Sequence, residues 1–93
     1  MAENKTLGQK LQKYFELTAK ALQIVKISEN CDRKKAEDIL DLAKRYYEDA
    51  KFFEKKNDLV NAFGAVCYAH AFLDIGARLG YFDVKDSTLF MVD

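Results

Sequence analysis

The sequence has no proline, no tryptophan, one histidine, two cysteines and four glycines in 93 residues. Each shortage excludes something. Without proline, no position loses its backbone donor or clashes with a preceding helical turn, so nothing forces a long helix to break. Cys31 and Cys67 form neither a metal-type Cys-x-x-Cys pair nor a disulfide framework, and reduced thiols in a cytoplasmic protein are the plain reading. A single histidine, His70, cannot supply the repeated Glu-x-x-His motifs of helix-bundle metal sites. No metal and no other cofactor is expected. The N-terminal run MAENKTLGQK lacks the apolar stretch of a secretion signal, and no apolar run approaches the roughly 20 residues that cross a bilayer. A dominant charge is missing too. Fifteen basic and fifteen acidic side chains cancel, which removes the general attraction for phosphate backbones and anionic lipid. Neither nucleic acid nor a membrane is an expected partner.

What is present is the composition of a folded chain, 49% hydrophobic and 32% charged, long enough for one domain over 1–93. In the first segment Leu7, Leu11, Tyr14, Thr18, Leu22 and Val25 recur at intervals of four or three, a helical stripe. Thr6 stands as N-cap with Gln9 three residues on, which predicts a helix over about 6–28. Asp32 then caps a second helix over 33–56, apolar at Ala36, Ile39, Leu40, Ala43, Tyr46, Tyr47, Ala50 and Phe53. Its other face is charged, with Asp41 and Arg45 as i,i+4 neighbours. Asn57 suits a left-handed C′ position and Asp58 the next N-cap. A third helix over 59–79 ends at Gly80, and 81–93 form a short C-terminal tail. Connections this short force antiparallel neighbours. The expected architecture is all-α, an up-down-up antiparallel three-helix bundle.

The third helix has more apolar surface than one buried side requires. At about 100° per residue, Leu59, Ala62, Val66, Ala69, Leu73 and Ala77 form one stripe. Roughly opposite run Tyr68, Phe72, Ile75 and Leu79. An exposed patch of that extent is uncommon on monomers. It predicts a cover from the tail or from a second copy of the chain, unless its aromatics simply overhang the core edge. Gly64 and Gly76, inside the helix, predict close approach of another backbone at each.

Between the two stripes lie Cys67, His70, Asp74 and Arg78. They form either a site or internal wiring. A Cys-His-Asp relay needs an activated thiol and an oxyanion hole, and residues along one straight helix point outward side by side. Buried charge without partners is costly, so wiring is the first expectation. A small-ligand or nucleotide pocket lined by His70, Asp74, Arg78 and Tyr47 is the alternative.

The run DLVNAFGAVCYAHAFLDIGARLGYF, residues 58–82, resembles an archaeal family of small helical proteins, domain of unknown function 357. The likeness reaches back through AKRYYEDAKFFEKKND to cover about 10–82. The matching elements are Ala62, Tyr68, Ala69, His70, Leu73, Asp74, Gly76, Arg78, Leu79 and Gly80. The resemblance implies a helical bundle in an archaeal cytoplasm and no established activity. A weaker likeness links the chain to helical domains that accompany minimal nucleotidyltransferases. Those with ribonuclease activity use an Arg-x4-6-His motif, and no arginine lies four to six residues before His70. The reading is therefore a non-enzymatic interaction or self-association module. Tyr68, Phe72, Ile75 and Leu79 are its candidate interface, and a homodimer or an unidentified protein is the partner.

Overall fold

Three helices account for most of residues 2–84, the part that the computed structural model describes: α1 (Ala2–Ile24), α2 (Arg33–Lys55) and α3 (Leu59–Arg78). Side chains are described from Thr6 onward. Local chemistry sets the ends of α2 and α3. The Asp32 carboxylate accepts the Lys35 N–H at 3.2 Å, and Asp58 accepts the Asn61 N–H at 3.2 Å and its side-chain amide at 2.7 Å. Both bonds satisfy donors that a helix start leaves open. Asn57, at φ 59°, and Gly80, at φ 83°, take the left-handed positions that stop α2 and α3.

The first helix departs from the sequence expectation at both ends. It runs from Ala2 to Ile24 rather than over 6–28, so Thr6 lies within it instead of capping it. The early C-terminus has a visible cause. Residues after Ile24 leave the helix to meet the chain beyond α3, where Ile27 and Phe82 form an antiparallel bridge. The Ser28 N–H donates to the Tyr81 carbonyl at 2.9 Å, and the Asp83 N–H donates to the Lys26 carbonyl at 2.7 Å. β-Branched Val25 and Ile27 suit that extended path.

The bundle has a middle. α3 packs along both α1 and α2, most extensively along α2, while the backbones of α1 and α2 stay further apart and meet through side chains such as Phe15 and Tyr47. The α2·α3 seam is made of small side chains. Ala36, Ala43 and Ala50, seven residues apart, are fully buried, as are Ala62 and Ala69 of α3. Alanines at a seam let two helix axes approach closely. Around it lie two core clusters, Leu11, Phe15, Ala50, Ala62, Ala65 and Val66 towards one end and Ala21, Ala36, Ala43, Leu73 and Phe82 towards the other. They fill a body of 49 × 23 × 17 Å.

The central position of α3 explains its composition. A helix packed on two sides needs apolar residues on two sides. This corrects the expectation drawn from apolar runs: by length and composition α3, at 20 residues, is apolar enough to cross a membrane, with a mean hydropathy of 1.3 over its most apolar 18. α1 and α2 cover two of its sides, and 33% of that stretch is buried.

The start of the tail closes one end. Phe82 is 3% exposed, and its ring fills the space above Gly76, where an added Cβ would overlap it. Tyr81 and Phe82 both donate backbone N–H groups to the Gly76 carbonyl, at 2.8 and 3.2 Å. The neighbour that Gly76 admits is thus an aromatic side chain, where sequence predicts a backbone. At Gly64 the expectation fails outright, because nothing lies within 4 Å of a Cβ placed there. Tyr81 and Val84 pack with Phe82 onto the cluster around Leu73, on the inner side of α3. Leu89, Phe90, Met91 and Val92, the rest of the predicted cover, lie outside the described residues.

Candidate functional site

Of the ionisable row, His70 is turned towards α1. Its Nδ1 lies 3.1 Å from the Thr18 hydroxyl, and its Nε2 lies 3.7 Å from Asp74 Oδ1. A neutral ring carrying its proton on Nε2 faces the carboxylate with that proton and accepts the Thr18 hydroxyl proton on Nδ1. The order Thr-His-Asp has the members of a hydrolytic relay, but the nucleophile position is sealed. Thr18 has 0% exposure, so no substrate reaches its oxygen, and a relay works only on a group that contacts substrate. Physically, the arrangement gives α1 a polar tie to α3. Among the described residues, no buried side-chain nitrogen or oxygen lacks a hydrogen-bond partner.

Tyr47 lies elsewhere. Its ring meets Phe15 edge-on at 5.7 Å, with the Lys51 ammonium 5.4 Å from the ring centre, in the cluster around Leu11 and Val66. Asp74 and Arg78 join Ile75 and Leu79 in lining a shallow apolar depression of about 280 Å³. Both cysteines are free. Burial pushes the Cys67 thiol above its ordinary pKa, which disfavours the nucleophilic thiolate. The Cys31 thiol donates to the Ser28 carbonyl at 3.3 Å and lies 3.8 Å from that of Tyr81, beside the bridge. No three His, Cys, Asp or Glu side chains converge as a metal-holding group among the described residues.

The second stripe of α3 divides between two environments. Phe72 is half-buried and stacks on Tyr46 of α2, with ring centres 5.6 Å apart and planes at 19°. Tyr46 also touches Tyr68, at 5.4 Å. Beyond this overhang the face is open: Tyr68 is 61% exposed, Ile75 47% and Leu79 64%. The open face extends further than sequence reasoning finds. Val60 is 72% exposed, Ala71 is exposed and the space above Gly64 is empty. Val60, Gly64, Tyr68, Ala71, Ile75 and Leu79 therefore form one outward ribbon along the whole of α3, at intervals of four, four, three, four and four. The spacing is present in the sequence. It is obscured because Gly64 and Ala71 carry too little side chain to register as an apolar stripe. Thr18 is placed in the α1 stripe but missed as the partner of His70, although it is the one aliphatic hydroxyl in an otherwise apolar and aromatic row.

Three helices, with α1 parallel to α3, α2 antiparallel to both and a polar tie between α1 and α3, define a small helical-bundle protein. Residues 13–82 match the family described as protein of unknown function DUF357, and the chain belongs to that family. The match ends at Phe82, the ring seated on Gly76. Comparison with curated proteins and with solved structures gives no match.

Proposed function

We propose that the protein is a non-enzymatic interaction module of the archaeal cytoplasm that binds protein through the outer face of α3. The observation that carries this reading is the outward ribbon from Val60 to Leu79, apolar along its length and uncovered by either companion helix. Contiguous exposed apolar surface of this kind marks association sites. Its anchors are Tyr68, Ile75 and Leu79, with Phe72 at the edge held in place by Tyr46. Rigid aromatic and aliphatic anchors on a preformed helix bind at low ordering cost. The ligand-binding alternative has less behind it. His70 already has Thr18 and Asp74 as neighbours, and Tyr47 packs in the other core cluster.

Methyl NMR with a soluble paramagnetic agent tests the proposal in the full chain, diluted until light scattering reads one copy. The Ile75 and Leu79 methyl signals should broaden as strongly as those of other exposed groups. Shielding of both in the single chain would mean that the chain covers its own face, and the module reading would fall.

A further inference from the structure

Resting on that reading, we infer that the occupant of the outer face is a second copy of this chain. The second α3 lies antiparallel across the ribbon, about a two-fold axis midway between Ala69 and His70. In such a pair, residues at equal height have numbers with a constant sum. With the axis at that point, Val60 of one copy meets Leu79 of the other, Gly64 meets Ile75 and Tyr68 meets Ala71. All six residues of the ribbon are used. Two of the three pairs set a large side chain against a small one, and the third joins two exposed aliphatics. An isologous interface must complement itself in this way. The empty space above Gly64, which nothing among the described residues explains, becomes the slot for Ile75.

Charge agrees with shape. The same register brings Arg78 opposite Asn61 of the other copy, one turn from Asp58 and its carboxylate. It also sets each α3 C-terminus beside the other's N-terminus, where the dipoles attract. With fifteen charges of each sign, two copies carry no net repulsion. Removing the ribbon and its edges from water in both copies buries on the order of 1,000 Å², the lower bound for a specific interface. The dimer is accordingly weak, exchanging, and driven by concentration.

Sedimentation equilibrium of the full chain across a wide concentration range tests this. The wild type should pass from one copy to two. Gly64→Leu adds a side chain into open space in the single chain, so helical circular dichroism should be unchanged or stronger, while association weakens about tenfold or more. Adding Ile75→Ala to Gly64→Leu empties the opposite position and should restore most of the lost association. A wild type that stays single at every concentration, with Ile75 and Leu79 still open to the paramagnetic agent, overturns the dimer and leaves the module reading standing. A Gly64→Leu variant that pairs as well as wild type, or a double variant that does not recover, overturns the register.

Discussion

Replacing Gly76 by alanine should destabilise this protein, although the same exchange inside most helices is stabilising. An alanine in a helix interior is favoured over glycine by about 1 kcal/mol. At Gly76 the new Cβ would enter the Phe82 ring, 2.5 Å from Cδ2 and 2.8 Å from Cζ and overlapping Cε2. The ring cannot swing aside freely. Its backbone is held by the Phe82 N–H to Gly76, and its neighbours by Ser28 to Tyr81 and Asp83 to Lys26. Moving the ring therefore means peeling residues 81–84 from the bundle and exposing a side chain that is now 3% accessible. Loss of a buried phenylalanine costs about 1.5–3 kcal/mol in transfer free energy. Against the propensity gain, the net loss is about 0.5–2 kcal/mol, a fall of roughly 2–16 °C in melting temperature for a domain of this size. Urea unfolding followed at 222 nm gives the number. The decisive comparison is the same substitution in a Phe82→Ala background, where the obstacle is gone and Gly76→Ala should stabilise by up to about 1 kcal/mol. If Gly76→Ala is neutral or stabilising with Phe82 intact, the ring is not seated where it is described.

Two further outcomes follow from the polar groups. Thr18→Val keeps the shape of a fully buried side chain but leaves His70 Nδ1 without its hydroxyl partner, a loss of about 1–3 kcal/mol read by thermal melting; Thr18→Ser should recover most of it. Because burial favours the neutral thiol at Cys67, its alkylation by iodoacetamide should begin at higher pH in the folded chain than in urea. The raised folded pKa also means that stability is intact below the ordinary thiol range and declines as pH rises through it. Peptide mass spectrometry separates Cys67 from Cys31, and equal rates in the two states would refute the buried placement.

Sequence reasoning reads α2 and α3 to within a residue because their ends are decided locally, by Asp32, Asn57, Asp58 and Gly80. It misplaces both ends of α1. Val25 to Ser28 continue a helical pattern perfectly well, and what draws them out is a backbone bridge to Tyr81–Asp83, a pairing no local window contains. The apolar excess on α3 is equally legible, but the assignment of its flanks is not. That Phe72 belongs to the α2 side and Ile75 to the solvent depends on where Tyr46 projects. The ionisable row reads as wiring from its setting, while its actual terminus, Thr18, sits on a different helix. Gly76 signals a close neighbour, and only the fold says that the neighbour is Phe82.

The bridge between Ile27 and Phe82 gives the molecule a direction in time. A chain leaving the ribosome has α1 and α2 outside well before residue 82 follows. Until then Gly76 faces a hole and the linker after α1 has no partner strand. Contacts far apart along the chain form late, because closing a long loop costs entropy before it is rewarded. The fastening of the bundle is therefore a late act of its folding, performed by a phenylalanine that lies beyond α3.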